Sequence, residues 1–241
     1  SMITLYGRKP VLEILLDPEA SIFRLHLAES NQRGDTITQI RMLAQERDID
    51  NITHPKEALS RISKNARQDQ GVAIDISPPK YLSVDQIIAS AGQILALDGI
   101  TNPQNLGMII RSVAASPMDG LLLPRKGCAK IDPLVHKASA GTLIKSSIYH
   151  CPTIESGLKS LRSKGYQLIG LSGGVDRSLG DIGNANEKIV FVLGNETTGI
   201  SEPVLALCDE LACIPLESGV ESINVAMAAT LVAFRTTFSG T

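Results

Sequence analysis

Three polar loops, each following a short apolar run, hold the side chains of this sequence best suited to chemistry on a small polar ligand: Asp98 to Arg111, Gly194 to Ser201, and Ile214 to Asn224. In the first, Leu106, Ile109, Ile110 and Val113 recur at helical spacing and turn one stripe toward a core. Arg111 then falls on the opposite side. It is either a solvated surface cation or a guanidinium aimed at a phosphate or a developing oxyanion. The second loop brackets Asn195, Glu196, Thr197 and Thr198 between Gly194 and Gly199. Glycine there permits close approach of backbone to ligand, and Glu196 adds a fixed negative charge, although an ordinary capped turn would use the same residues. In the third, Ser222 reads as a helix N-cap. Asn224 opens a helix, Val225 to Phe234, that is apolar nearly all round, so its amide needs partners and the helix must be covered on more than one side. A second copy of the chain is the simplest cover. Neither G-x-G-x-x-G nor G-x-x-x-x-G-K-[ST] occurs, so these loops carry no dinucleotide or P-loop fingerprint.

The elements that must position these loops fall into two regions. Residues 2–76 form a small α/β unit: helical periodicity over 7–16, a strand over 21–28, helices over 35–47 and 55–64, and a strand over 71–76. Ser77-Pro78-Pro79-Lys80 interrupts regular structure, and residues 77–88 read as a linker. Residues 89–241 then alternate strand and helix. Strands are expected at 93–97, 120–123, 167–171, 189–193 and 211–214. Helices are expected from 105, over 132–143 and 154–163, from 201, and at the end. Short apolar runs alternating with helices imply a mostly parallel sheet with helices on both faces, and ligands in such sheets bind beyond the carboxyl ends of the strands.

Composition narrows the function. The chain has 241 residues, 43% of them hydrophobic, enough for a sizeable core, and only 3% aromatic, which favours α/β layers over a β-sandwich. A formal charge of -2 excludes a broadly polybasic protein, so any nucleic-acid contact rests on local patches. Cys128, Cys151, Cys208 and Cys213 lack zinc-type spacing and read as reduced and structural. No signal peptide or membrane span is legible, and a cytoplasmic location is the expectation. Ser1, which precedes Met2, is left out of the fold reading.

The segments Asn102-Pro-Gln-Asn-Leu-Gly-Met-Ile-Ile-Arg-Ser, Leu193-Gly-Asn-Glu-Thr-Thr-Gly-Ile-Ser and Ile214-Pro-Leu-Glu-Ser-Gly-Val-Glu-Ser-Ile-Asn-Val-Ala, in this order, resemble the three motifs of the SpoU (TrmH-like) branch of the SPOUT RNA methyltransferases. The opening Leu5-Tyr-Gly-Arg-Lys-Pro-Val-Leu-Glu resembles the L30e-like RNA-binding domain that many members carry. The resemblance implies a catalytic α/β domain with a trefoil knot, acting as a homodimer through the C-terminal helix. It implies S-adenosylmethionine as methyl donor, no metal, and transfer to a ribose 2′-hydroxyl of structured RNA. Ribosomal RNA of the 23S type is favoured over transfer RNA. Carried onto this chain, Asn105 and Arg111 face the reactive ribose, Glu196 supports the pocket, and Ser222 with Asn224 completes the active site. Leu193, Gly194, Ile214, Leu216 and Ile223 bind the cofactor. Thr197-Thr198 departs from the family, where many relatives have a Gly.

For RNA contact, Lys56, Arg61, Lys64 and Arg67 set four cations against Glu57, with 61, 64 and 67 on one side if the helix persists. A merely solvated face has the same pattern. Arg8, Arg125 and Lys126 are further candidates. With few aromatics for base stacking, recognition of a folded RNA shape is expected. A non-catalytic RNA-binding or ribosome-assembly factor on the same fold is the competing reading. It would bind RNA without taking up the methyl donor.

Overall fold

The structure is a computed structural model and describes residues 2–31, 33–78, 81–87, 90–139, 147–183 and 187–238. It divides into two compact units: Ser1–Lys80 with Ile131–Ile144, and Tyr81–Lys130 with Lys145–Thr241.

In the first unit, β1 (Ile3–Tyr6), β2 (Ile22–Ala28), β3 (Asp50–His54) and β4 (Val72–Ile76) form a four-stranded sheet ordered β1-β4-β2-β3. β4 runs antiparallel to both its neighbours, and β2 pairs in parallel with β3. Strand alternation sorts the side chains by face. Leu5, Leu25, Leu27, Val72, Ile74 and Ile76 meet Val11 and Ile14 of α1 (Arg8–Leu16) and Ile37 and Ile40 of α2 (Asp35–Glu46) in one core. On the opposite face Tyr6, Ala28 and Ala73 pack with Leu59 of α3 (Lys56–Ser63). The sequence reading missed β1, which has only four residues, and β3, whose Asp-Asn-Ile-Thr-His is largely exposed and carries no core signal. α3 ends at Ser63, and Lys64 takes the left-handed conformation with φ 58°. The helical side expected to carry Arg61, Lys64 and Arg67 therefore does not exist; Lys64 and Arg67 lie in the turn beyond it.

The second unit is built on a seven-stranded sheet ordered β11-β9-β10-β6-β7-β8-β5, and every pairing in it is parallel. Along the chain come β5 (Leu82–Ser83), β6 (Gln93–Leu97), α4 (Pro103–Ala115) and β7 (Gly120–Pro124). The short helix α5 (Pro133–Ala138) follows, which groups with the first unit and packs on α1 and β1. Then come β8 (Ile148–Cys151), α6 (Ile154–Ser163), β9 (Gln167–Leu171), β10 (Ile189–Leu193), α7 (Glu202–Leu205), β11 (Glu210–Ala212) and α8 (Val225–Phe234). Buried side chains of β6, β7, β9 and β10 join those of α6 in the core. The strands expected at 93–97, 167–171 and 189–193 and the helix at 154–163 have those bounds here. Residues 140–143 of the helix expected to reach 143, and residues 79, 80 and 88 of the linker, lie outside the described residues.

The sheet grows outward from the adjacent pair β6 and β10 in both directions, so the loops leaving β6, β10, β9 and β11 emerge side by side at one end. This switch point is where a parallel sheet opens a crevice.

Candidate active site

The loop after β10 is closed by its own backbone. Asn195 and Gly199 exchange both hydrogen bonds, at 3.0 and 2.9 Å, and Gly199 has φ 72°. The Asn195 side chain accepts the amides of Thr197 and Thr198 at 2.9 and 3.2 Å, while its Nδ2 donates to the Gly99 carbonyl at 2.9 Å. One asparagine thus ties the β10 loop to the β6 loop. Glycine is needed at 194 for a steric reason: a Cβ there would stand 2.2 Å from the Gly199 carbonyl carbon and the Ile200 nitrogen. Neither threonine has positive φ, so the turn accommodates Thr197 and Thr198 without strain; the left-handed position falls on Gly199.

The β6 loop enters α4 through Asn102, whose Oδ1 accepts the amides of Gln104 and Asn105 at 2.9 and 3.0 Å, with Pro103 in the first turn. This cap delivers Asn105, 9% exposed, to the helix mouth. Its Nδ2 donates to Glu196 Oε1 at 2.8 Å, and its Oδ1 accepts from Asn224 Nδ2 at 3.2 Å. Asn224 is itself the N-cap of α8: its Oδ1 accepts the Ala226 and Met227 amides at 2.8 and 3.3 Å. Backbone N–H groups only donate, which fixes the Asn224 oxygen toward α8 and its nitrogen toward Asn105. The expectation that Ser222 caps this helix is corrected here. Ser222 lies exposed two residues before the cap, because Asn224 takes the capping geometry and both orphan amides.

Beside this relay lies a cleft of about 390 Å³, a volume suited to a small ligand. It is lined by Leu193, Gly194 and Glu196 of the β10 loop and by Ile214, Leu216, Ser222 and Ile223 of the chain after β11. Leu171, Ser172 and Gly173 of the loop after β9 close another side. That loop was overlooked in the sequence, although Ser-Gly-Gly directly after an apolar strand marks it as a loop at a strand's carboxyl end. Asn195 was read only as part of a polar turn. Glu221, Val225 and Ala228 line the cleft as well. Cys128 lies by the β6 loop, its Sγ 3.7 Å from the Leu97 carbonyl. Burial, with the charges of Asp98 and Glu196 adding to it, pushes its pKa up and keeps it protonated. Among the described residues no three His, Cys, Asp or Glu side chains gather into a metal-holding group.

Five predicted cofactor-binding residues, together with Glu196 and Ser222, thus share one cleft, and Asn105 and Asn224 are bonded in sequence to Glu196. Arg111 is not among them: it is exposed on α4 and does not line the cleft.

The SpoU rRNA methylase family matches residues 92–234, well over half of the chain. The chain belongs to the SpoU rRNA methylase family. A second family, the substrate-binding domain of RNA 2′-O ribose methyltransferases, matches residues 4–82. An uncharacterized tRNA/rRNA methyltransferase of Mycobacterium ulcerans is 31% identical over 234 residues, covering 95% of this chain and 74% of that one. Among solved structures, the SpoU methyltransferase AviRb of Streptomyces viridochromogenes in complex with AdoMet has a TM-score of 0.81 at 22% identity, covering 100% of this chain and 92% of the other. The AdoMet-bound rRNA methyltransferase of Sinorhizobium meliloti has 0.78 at 21%, covering 98% and 86%. These two likenesses establish the fold of the SpoU chain.

Of the residues assigned to RNA, Lys56, Arg61, Lys64 and Arg67 are exposed in the first unit and Arg125 in the second. Arg8 differs. Its guanidinium donates to Asn31 Oδ1 at 2.7 Å and its amide to Gln70 Oε1 at 2.8 Å, so the side chain is half-buried in a structural knit of α1 with two turns.

Proposed function

We propose that this SpoU methylase transfers a methyl group from S-adenosylmethionine to a ribose 2′-hydroxyl of structured RNA, with ribosomal RNA favoured over transfer RNA. The observation that carries this reading is the Asn224–Asn105–Glu196 relay, which ties the first motif to a cleft lined by the second and third motif loops and the loop after β9. The lining fits the methyl donor. Leu216, Ile214 and Ile223 offer apolar surface for a flat heterocycle, the Gly194 turn offers close backbone, and Glu196 and Glu221 offer carboxylates to a cationic ligand.

When bound, that donor supplies an electrophilic methyl on a sulfonium, and the displacement demands an in-line approach. Glu196 is held by Asn105, and Asn105 by the capped Asn224, so side-chain freedom at the reacting edge is removed before substrate arrives. Arg111 acts by positioning a phosphate and stabilising the developing alkoxide. Its place outside the cleft accords with dimerisation through α8. Met227 and Leu231, 64% and 49% exposed, share one side of α8, and Met108, 43% exposed, stands three residues from Arg111 on α4. In this reading residues 2–76 bind substrate RNA, with Lys56, Arg61, Lys64 and Arg67 as phosphate contacts while Arg8 serves the fold, 77–88 connect, and 89–241 form the knotted catalytic domain, which adds Arg125 as a phosphate contact.

The test is methyl transfer from radiolabelled S-adenosylmethionine to purified ribosomal and transfer RNA, followed by mapping of 2′-O-methyl groups. Label on ribose in ribosomal RNA is the expected result. RNA binding with no uptake of the donor by calorimetry would instead establish the non-catalytic assembly-factor reading.

A further inference from the structure

The cleft beside the relay is lined by formal charge of one sign. Among the described residues Glu196 and Glu221 are its only charged side chains, and no Lys or Arg joins them. The two reach it from different sides. In the sheet β9 stands between β10 and β11, so the loop leaving β9 separates the β10 loop, which brings Glu196, from the chain after β11, which brings Glu221. A Cβ built on Gly173 would stand 3.7 Å from the Glu221 carbonyl oxygen, so the β9 loop runs against the backbone that carries this glutamate. Arg177, farther along the same loop, pairs through Nε with Glu210 of β11 and stays out of the lining.

The two carboxylates differ in their commitments. Glu196 Oε1 accepts from Asn105 Nδ2 at 2.8 Å, which ties that side chain to the relay. Glu221 is exposed and makes no side-chain hydrogen bond or ion pair among the described residues, so the protein leaves its charge for the occupant of the cleft. That occupant changes charge in the reaction. A C–O bond forms at the ribose while the C–S bond breaks with its electron pair left on sulfur, and the hydroxyl proton passes to solvent. S-adenosylmethionine and S-adenosylhomocysteine therefore differ by one methyl and one fixed positive charge. Apolar walls and close backbone, which grip the adenosine common to both, cannot tell fresh donor from spent. A nearby negative charge can.

We infer that Glu221 selects by charge: it raises the affinity of the cleft for the cationic donor relative to the product, whose sulfur is neutral, so that turnover itself loosens the ligand. This inference rests on the methyl-transfer reading of the cleft and adds to it a residue that distinguishes donor from product. An exposed carboxylate acts through screening water, so the selection is modest, about two- to fivefold in affinity.

Calorimetry on the full chain decides it, with three ligands that share the adenosine: S-adenosylmethionine, S-adenosylhomocysteine, and sinefungin, in which an amine-bearing carbon replaces the methylated sulfur. In Glu221→Gln the two cationic ligands should bind about two- to fivefold more weakly while S-adenosylhomocysteine is unchanged. Glu221→Asp should restore most of the difference. At an exposed position neither substitution disturbs the core. Raising the salt from about 0.1 to about 1 M shortens the Debye length from about 10 to about 3 Å, and the wild-type ratio of donor to product affinity should fall toward that of Glu221→Gln. Equal weakening of all three ligands would make Glu221 a contact without charge selection and overturn the inference. An unchanged ratio in Glu221→Gln, or a wild-type ratio indifferent to salt, overturns it as well. Wild-type protein that binds none of the three overturns the methyl-donor reading of the cleft together with this inference, whereas donor binding that ignores Glu221 overturns the inference alone.

Discussion

Asn224 performs two jobs with two ends of one amide, and Asn224→Asp separates them. The oxygen that accepts the Ala226 and Met227 amides is retained, since Asp ranks with Asn as an N-cap and its charge favours a helix N-terminus by a further ~0.3–1 kcal/mol. The Nδ2 that donates to Asn105 at 3.2 Å is lost. Two oxygens then face each other, and Asn105 relieves the clash by turning its own NH2 toward position 224, which takes that donor away from Glu196. A hydrogen bond to a charged group contributes about 1.5–3 kcal/mol. If that interaction is realised in the transition state, methyl transfer falls about 10- to 150-fold. Stability should stay within about 1 kcal/mol, or roughly 2–4 °C in melting temperature for a chain of this size. Asn224→Ala loses cap and donor together, so its activity falls similarly while stability falls by about 0.5–2 kcal/mol. Initial rates with radiolabelled donor, read beside thermal unfolding of both variants, provide the comparison. Wild-type turnover in Asn224→Asp would refute the relay as the device that holds Glu196.

Other substitutions probe separate parts of the site. Gly194→Ala places a methyl 2.2 Å from backbone, so the β10 loop must open; calorimetry should show loss of donor binding, with overpacking costing about 1–3 kcal/mol of stability. Arg111→Ala, at an exposed position, should leave stability within about 0.5 kcal/mol while abolishing methyl transfer, and full activity in that variant would remove Arg111 from the mechanism. His136 of α5 is 1% exposed with both ring nitrogens unpartnered among the described residues, and burial lowers its pKa to about 3. The fold holds the neutral ring, so its penalty is absent above the unfolded pKa of about 6.5 and grows as pH falls toward 3, by at most ~1.4 kcal/mol per pH unit. Denaturant titrations between pH 7 and 4 should therefore show a shallower loss of stability for His136→Leu than for wild type.

Much of this architecture was legible because the first two chemical loops follow strands buried on both faces, whereas the third follows the half-buried β11. β6 and β10 are five-residue buried strands, apolar throughout except for Gln93, and such runs announce themselves by composition. β3 and β5 gave no such sign. β3 is a polar edge strand and β5 has two residues, so both owe their form to neighbours already in place. The cap of α8 was misassigned because Ser222 and Asn224 have similar capping propensity, and only the tertiary partner Asn105 distinguishes them. A polar chain in the first unit, from Thr4 through Asp75 and His26 to His54, was invisible for the same reason. Its members lie up to 71 residues apart in sequence, and sheet register alone aligns them.

The bond between Asn224 and Asn105 joins residues 119 positions apart, and Glu196 waits on both. During synthesis the chain must therefore emerge through residue 224 before the first motif acquires its full support. Until then Asn105 lacks the Asn224 amide that donates to its Oδ1. The relay is thus completed late in synthesis, only when all three motifs have been made.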